Sequence, residues 1–248
     1  MLKLYHYWSS VCSQKVRLCL AEKGIEWESV HIDLFAFDHW DADYLKLNPK
    51  AVVPTLDHDG QVVIESNVII EYLEEAFPET RLMPDDLHAR PVARLWMYDS
   101  EEIAHSGVAV ASFNVRHRPR MAKFSRAELE AINARNPLPG KQAQFMNRLA
   151  NGVAQADVDA AYARLDALLD KMEAALADGP WLLGGDYSLA DVALAPYVNR
   201  IEVLERPEML SEGMRPRLAR WWRAVQDRPA FAEAFSFANP DRTDPIKR

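Results

Sequence analysis

Cysteine and glycine are both scarce in this chain. Its 248 residues include two cysteines, Cys12 and Cys19, and nine glycines. Two cysteines seven positions apart on one predicted helix do not provide the disulfide framework of a small secreted domain, so we expect a reducing, cytoplasmic environment. Because alanine, leucine, glutamate and arginine are plentiful while glycine is scarce, the composition favours helix over much of the chain.

An excess of positive charge and any long apolar run are also missing. The formal net charge of -8 argues against nucleic acid or an anionic membrane as a partner, since both require a basic surface. No apolar run approaches the roughly 20 residues of a membrane-spanning helix, and Met1 leads into a predicted strand without a charged and apolar leader. The sequence contains no His-Glu-x-x-His motif, cysteine cluster or Gly-rich phosphate loop, so it indicates neither a metal nor a nucleotide.

The first part of the chain alternates between strand and helix patterns. Strands are predicted at about 2–7, 27–34, 52–56 and 61–64, and helices at about 11–23, 41–47 and 66–77. A crossover helix makes the first two strands parallel, whereas the turn signal Asp57-His58-Asp59-Gly60 makes the last two an antiparallel hairpin. The pattern therefore predicts a small mixed sheet packed against helices.

Helical patterns dominate after a Pro- and Asp-rich linker at about 80–87. Helices are predicted at about 88–113, 154–178, 188–204, 214–227 and 229–236. Between the first two of these helices lies a polar, proline-containing insertion at about 114–152, in which Ser125 and Glu128 have the capping-box spacing of one short helix. The tail after Asn239 is expected to be loosely ordered.

Four short motifs stand out along the chain. They are Ser9-Ser10-Val11-Cys12-Ser13 after the first strand, then Val53-Pro54, then Glu65-Ser66, and finally the stretch from Leu183 to Asp191. Together they resemble the motifs of the cytosolic glutathione transferases, and the last looks like the buried capping-box motif of that family. The first motif is similar to the serine-type classes, and the insertion with Asn136-Pro137-Leu138-Pro139 is similar to β-etherase-like members. The resemblance implies an α/β thioredoxin-like N-terminal domain at 1–80 that binds glutathione. It also implies an all-α C-terminal domain at 88–248, with the insertion at about 114–152, that holds a hydrophobic substrate.

The resemblance further implies that Ser10 is the catalytic residue. Glutathione conjugation needs a thiolate at neutral pH, and a hydroxyl at a helix start can stabilise it by donating a hydrogen bond to the sulfur. Ser9 is a rival because a one-residue shift of the turn would exchange the two serines, and Ser13 is either a cap or a second sulfur contact. Cys12 offers a different chemistry, since a cysteine in the first turn of a helix can be a nucleophile of low pKa.

The glutathione backbone is expected to bind at two other motifs. Val53-Pro54 resembles the cis-proline turn of the family, whose backbone groups pair with the cysteinyl unit. Glu65 would pair with the ammonium of the γ-glutamyl group, and Ser66 would offer its hydroxyl and N–H to the carboxylate of that group. The contact to the glycyl end stays open among Trp40, His39 and Lys50.

A second substrate is expected to bind an apolar pocket of the helical domain. The candidates for its walls are Met97, Tyr98, Phe113 and Phe145. The basic run from Arg116 to Lys123 is either a solvated face or the rim of the cleft, where it would attract an acidic or phenolate-bearing electrophile.

These features together predict a glutathione transferase that activates the thiolate of its co-substrate for attack on a hydrophobic electrophile. The β-etherase-like form of this reaction is aryl ether cleavage. The alternatives are a Cys12-dependent thiol transferase and a non-catalytic binding or regulatory protein with the same fold. We expect a homodimer, from the family and because a strand-helix half of about 80 residues must bury more apolar surface than one chain offers.

Overall fold

A four-stranded mixed sheet forms the core of the N-terminal half. The computed structural model describes residues 1–204 and 206–238, so the predicted loose tail after Asn239 lies outside the described residues. The strand order is β2-β1-β3-β4, with β1 parallel to β2 and antiparallel to β3, and β3 antiparallel to β4. The strands are β1 (Leu2–His6), β2 (Glu28–His31), β3 (Thr55–His58) and β4 (Gln61–Ile64). The predicted mixed sheet is confirmed.

Two strands are shorter than the sequence pattern predicts. The prediction extended β2 to residue 34, but the Asp33 carboxylate accepts hydrogen bonds from the backbone N–H groups of Phe35 and Ala36, at 2.7 and 3.2 Å, and turns the chain. The prediction began β3 at residue 52, but the strand starts only after Pro54, which has no N–H to donate to the ladder.

Helix α1 is the central helix of the N-terminal half. It runs over Val11–Lys23, begins at the N-cap Ser10, and ends at Gly24, whose φ of 65° places it in the left-handed region that favours glycine. It packs against α3 and against two helices of the other half, so Val16, Leu18 and Cys19 are fully buried. Cys19 is therefore part of the hydrophobic core. The other helical segments of this half are a 3₁₀ turn (Asp38–Trp40), α2 (Ala42–Leu47) and α3 (Ser66–Ala76).

The second half of the described chain is helical throughout. Its α-helices are α4 (Ala89–Asp99), α5 (Ser106–Ser112), α6 (Arg118–Met121), α7 (Arg126–Ala134), α8 (Pro139–Asn151), α9 (Gln155–Ala175), α10 (Leu189–Val203), α11 (Pro216–Gln226) and α12 (Pro229–Phe235). A 3₁₀ turn at Pro207–Leu210 lies between α10 and α11. No helix of the described residues is both long and apolar enough to span a membrane.

The insertion is more regular than the sequence suggests. Helices α4, α5 and α6 are joined by two π-helical segments, Ser100–His105 and Phe113–His117, so helical structure continues to residue 121 instead of stopping near 113. The capping box predicted at Ser125 is present, with the Glu128 N–H donating to Ser125 Oγ at 3.3 Å. The second helix of the insertion, α8, was not predicted. Its prolines were interpreted as helix breakers, but a proline is compatible with the first turn of a helix.

The segment before α10 is held by one buried carboxylate. Asp191 is fully buried and accepts hydrogen bonds from the backbone N–H groups of Leu182 (3.1 Å) and Ser188 (2.9 Å) and from the indole N–H of Trp221 (2.8 Å). With Ser188 as N-cap, this forms the capping box that the sequence predicts. The carboxylate thereby fixes α10 relative to α11 and to the preceding turn.

We predict that Asp191→Ala lowers the free energy of unfolding by roughly 2–4 kcal/mol, because four buried donors, the Ser188 hydroxyl among them, lose their acceptor. Urea denaturation followed by circular dichroism measures this change. Asp186→Ala is the matched control, since Asp186 is an exposed aspartate of the same segment. Equal effects of the two substitutions would show that the buried hydrogen bonds are not the source of stability.

Candidate functional site

A cavity of about 390 Å³ lies between the sheet half and the helical half. The N-terminal half contributes Tyr7, Ser9, Ser10, Val11, Leu34, Phe35, Phe37, His39 and Trp40 to its walls. The helical half contributes His105, Val108, Ala109, Ser112, Phe113, Arg116, His117, Arg120, Met121, Phe145, Leu149 and Arg200. The cavity therefore combines hydroxyl groups at one helix start with an aromatic wall and several cationic side chains.

Ser10 lies where α1 begins and where the chain enters this cavity. Its Oγ accepts a hydrogen bond from the backbone N–H of Ser13 at 3.3 Å, which leaves the hydroxyl proton for another acceptor. Ser9 also lines the cavity, so both predicted serines are at the site. Ser13 is fully buried and accepts from the backbone N–H of Tyr7 at 3.3 Å, which gives it a local structural role.

Two buried arginines hold the turn that precedes Ser10. Arg17 of α1 donates to the carbonyl oxygens of Tyr7 (3.3 Å) and Trp8 (2.8 Å), and Arg200 of α10 donates to that of Ser9. Burial lowers the pKa of the Arg17 guanidinium to about 9. Neither arginine was predicted as a site residue, because nothing in a helical charge pattern separates a buried arginine from an exposed one.

Cys12 belongs to a small polar cluster behind the turn. Its Sγ lies 3.4 Å from Nδ1 of His105 and 3.7 Å from the hydroxyl of Tyr197. Burial raises the pKa of the thiol, but the hydrogen bond from His105 and the positive charges of His105 and Lys15 outweigh it, so the net shift is downward. The hydrogen bond with Cys12 correspondingly raises the pKa of His105. His105 reaches the cavity wall, whereas Cys12 is not part of that wall.

The register of the sheet brings three sequence motifs to one end of it. Tyr5 of β1 pairs with Thr55 of β3, and Thr55 pairs with Ile64 of β4. The turn after β1, the residues just before β3 and the residues just after β4 therefore meet at the same edge. This places the loop of Ser10, the Val53-Pro54 pair and the Glu65-Ser66 pair close together, although they are far apart in sequence.

The Val53-Pro54 and Glu65-Ser66 motifs lie at this edge of the sheet, but none of these four residues lines the aromatic cavity. The peptide bond between Val53 and Pro54 is cis, as the sequence predicts. Glu65 has a φ of 70°, an unusual value for a non-glycine residue, and its carboxylate lies 2.6 Å from Nζ of Lys50. Ser66 is buried and is the first residue of α3. Strained backbone of this kind is frequent where a ligand is held.

Two of the three candidates for the glycyl contact belong to the aromatic wall. Trp40 packs on Phe37 with ring centroids 4.7 Å apart and on Phe145 at 6.0 Å. Burial lowers the pKa of His39 to about 4, so this side chain is neutral at physiological pH. Lys50 is the cationic candidate, and it is the partner of Glu65.

Two of the four residues predicted to surround the electrophile lie at the cavity. Phe113 and Phe145 line the cavity, whereas Met97 and Tyr98 do not. Met97 is buried in the core, and Tyr98 is 60% exposed. Successive residues of a helix point about 100° apart, and α4 packs so that neither of these two side chains faces the cavity.

The side chains of the basic run are divided between those that line the cavity and those that face away from it. Arg116, His117 and Arg120 line the cavity, which favours the cleft interpretation over a wholly solvated face. Arg118 instead donates to the carbonyl oxygen of Ala150 at 2.9 Å and fastens the end of α8, and Lys123 is exposed. The side chains of the run point in different directions because helical structure continues to residue 121. This continuation was not predicted from the sequence.

The side chains at this site offer hydroxyl, thiol, imidazole and guanidinium groups. Within residues 1–204 and 206–238, no group of three or more histidine, cysteine, aspartate or glutamate side chains is arranged to hold a metal ion. The chemistry that this arrangement supports is the stabilisation of a thiolate at the start of α1, next to an apolar cavity.

Comparisons with known proteins agree with this geometry. The family described as "Glutathione S-transferase, N-terminal domain" matches residues 4–81, and "Glutathione S-transferase, C-terminal domain" matches residues 155–224. The chain is 32% identical to Protein LigF of Sphingobium sp. (strain NBRC 103272 / SYK-6), with 100% of this chain and 97% of LigF covered. It is 33% identical to glutathione S-transferase Z2 of Arabidopsis thaliana, over 99% of this chain and 95% of that protein. The crystal structure of beta-etherase LigF from Sphingobium sp. strain SYK-6 superimposes with a TM-score of 0.87, at 31% identity, over 95% of this chain and 98% of that one.

Proposed function

Because the chain belongs to the glutathione transferase family and uses glutathione as its co-substrate, we propose that it catalyses attack of the glutathione thiolate on a hydrophobic aromatic electrophile. The observation that carries this proposal is the position of Ser10, which is the N-cap of α1 and opens onto the aromatic cavity. The proposal places the sulfur at this helix start and the electrophile among the rings.

Ser10 is the proposed donor to the sulfur. Its hydroxyl proton is not engaged by Ser13, which donates to the oxygen instead. The free N–H groups in the first turn of α1, and the partial positive charge at that end of a 13-residue helix, also favour an anion there. These effects lower the pKa of the bound thiol, so that more of it is thiolate at neutral pH.

The tripeptide is proposed to lie along the sheet edge. The backbone of Val53, held next to Pro54, would pair with the cysteinyl unit in the manner of an added strand. Glu65 would bind the γ-glutamyl ammonium, and Ser66 at the start of α3 would bind the adjacent carboxylate. The sheet register supports this assignment, because it brings these residues next to the loop of Ser10.

An aryl ether is the proposed electrophile. The carbon–sulfur bond forms as the carbon–oxygen bond breaks, and the oxygen leaves as a phenolate that takes its proton from solvent. The aromatic walls, with Phe35, Phe113 and Phe145 among them, suit both rings of such a substrate. Whole-chain similarity to a protein described as a beta-etherase adds support.

We predict that Ser10→Ala raises the apparent pKa of bound glutathione and lowers kcat/KM for aryl ether cleavage by roughly 10²-fold, the scale of losing a hydrogen-bond donor to a reacting anion. Ultraviolet absorbance of the bound thiolate against pH gives the pKa, and phenol release gives the rate. Ser9→Ala is the matched control and should change both quantities less. A larger effect of Ser9→Ala would transfer the role to the neighbouring serine.

Thiol transfer through Cys12 is a second candidate function. The observation that favours it is the lowered pKa of this thiol beside His105. In this reaction the Cys12 thiolate attacks the glutathione sulfur of a mixed disulfide, forms a disulfide with glutathione and releases the other thiol. A second glutathione thiolate then attacks that disulfide, which frees the Cys12 thiolate and releases oxidised glutathione. If Cys12→Ala and His105→Ala abolish all glutathione-dependent activity while Ser10→Ala does not, this candidate replaces the first.

Glutathione affinity should depend on the acid before α3. We predict that Glu65→Gln weakens glutathione binding by roughly 1–3 kcal/mol, because the γ-glutamyl ammonium loses its charged partner. Isothermal calorimetry measures the affinity. Glu75→Gln, an exposed glutamate of the same helix, is the control and should bind normally. Unchanged affinity of Glu65→Gln would remove this residue from the proposed clamp.

The protein is also proposed to act as a cytoplasmic homodimer. Its two cysteines are free, with Cys19 buried, which suits a reducing compartment. Helices α3 and α4 are linked by the hydrogen bond from Asn67 to the Met97 carbonyl oxygen at 2.7 Å and by the ion pair between Arg94 and Glu71 at 2.6 Å. Together they expose Val68, Val92, Leu95 and Tyr98, each by more than two fifths. An apolar face of this kind is suited to a second copy of the chain.

We predict that sedimentation at micromolar concentration gives twice the mass of one chain, and that Leu95→Glu gives the mass of a single chain. In a twofold-symmetric dimer the introduced glutamate would lose its hydration and lie opposite the same side chain of the second copy. Desolvation and the repulsion between the two carboxylates would both disfavour association. Met214→Glu is the control, because Met214 is equally exposed but lies on another element. A monomer in the unmodified protein would contradict the proposal.

A further inference from the structure

Positive charge is concentrated in the cavity wall next to Ser10. Arg116, Arg120 and Arg200 all line the cavity. Arg200 donates to the carbonyl oxygen of Ser9, so its guanidinium contacts the residue directly before Ser10, the proposed donor to the sulfur. Arg116 and Arg200 are only 7% and 8% exposed, which is rare for arginine and indicates a positioned group instead of a solvated one.

The charges of these side chains act on one another across the wall. Burial first, and then Arg116 and Arg120, lower the pKa of Arg200 to about 9. Burial, followed by the three guanidiniums, lowers the pKa of His117 to about 4. At neutral pH the imidazole is therefore neutral, and the positive charge of this wall comes from the guanidinium groups.

The same wall presents flat apolar surface next to the charge. The Arg120 guanidinium carbon lies 4.5 Å above the ring of Phe35, and the ring of His117 stacks on that of Phe113 with centroids 6.1 Å apart. A guanidinium fork matches a carboxylate with two parallel hydrogen bonds, and a partly water-excluded site strengthens them. An aromatic ring bearing a carboxylate would satisfy both parts of the wall at once.

We propose that the electrophile of this enzyme carries a carboxylate on its aromatic portion, and that Arg200, together with Arg116 and Arg120, binds it. The inference rests on the proposed function, since it names the substrate class of the same site. In the reaction, glutathione sulfur bonds to the attacked carbon and the leaving group departs with the electron pair, while the carboxylate is unchanged. The arginines thus select and orient the substrate.

A pair of electrophiles that differ only in this group tests the proposal. The probes are 4-chloro-3-nitrobenzoate and 4-chloro-3-nitrobenzamide, from which glutathione displaces chloride. Each kcat/KM is divided by the uncatalysed rate constant of the same probe, which corrects for intrinsic reactivity. We expect the benzoate to be favoured by about tenfold or more, the scale of gaining one charge-assisted hydrogen bond between a guanidinium and a carboxylate.

The preference should follow the arginines. In Arg200→Gln and in Arg116→Gln, the ratio of the corrected kcat/KM for the benzoate to that for the benzamide should fall to near one. In Arg200→Lys this ratio should be intermediate, since lysine keeps the positive charge but lacks the two parallel donors of a guanidinium. Lys123→Gln is the matched control, because Lys123 belongs to the same basic run but is exposed outside the cavity wall. If Arg200→Gln does not fold, Arg116→Gln decides the outcome.

Calorimetry with the two S-aryl glutathione products separates this inference from the proposed function. If neither probe is turned over but the carboxylate product still binds about tenfold more tightly than the amide, and loses that advantage in Arg116→Gln, the anion site stands while the displacement chemistry fails. Equal binding of the two products by the unmodified protein, or a carboxylate preference that persists in folded Arg116→Gln and Arg200→Gln, would overturn the inference.

Discussion

Three consecutive backbone carbonyl groups, those of Tyr7, Trp8 and Ser9, are held by two buried arginines, and the position of Ser10 depends on them. A turn that carries its carbonyl oxygens into a protein interior needs donors from elsewhere, because unpaired buried carbonyl groups are destabilising. Arg17 supplies the donors for the first two and Arg200 the donor for the third. Burying a guanidinium is itself unfavourable, and several charge-assisted hydrogen bonds offset that cost.

This arrangement joins the two halves of the protein at the site. Arg17 also donates to the carbonyl oxygen of Ala234 in α12 at 2.8 Å, and Arg200 comes from α10. The turn before Ser10 is therefore not a property of the sheet half alone. The cavity is shared in the same way, with Phe35 and Trp40 on one side and Phe113 on the other. Any change that separates the halves would alter both the helix start and the pocket beside it.

Short-range signals in the sequence were reliable where one residue decides the local structure. The capping boxes at Ser125 and Ser188 and the order of strands and helices in the N-terminal half all follow from local patterns. The errors arose where packing decides. Periodicity did not indicate that Tyr98 would face solvent. Residues 114–121 continue a helix because π-helical turns and a proline in a first helical turn are permitted there.

By itself, the sequence determined the strands and helices of the N-terminal half, the two capping boxes and the chemical groups placed at these helix starts, since these depend on residues a few positions apart. Only the tertiary structure decided which groups meet. Ser9 and Arg200 are 191 positions apart, and Cys12 and His105 are 93 apart, so no periodic or local pattern links them. Whether an arginine is a solvated surface charge or a buried donor to the turn before Ser10 depends on which helix packs over which loop. That choice is made by the burial of the whole apolar core, not by the residues on either side of the arginine.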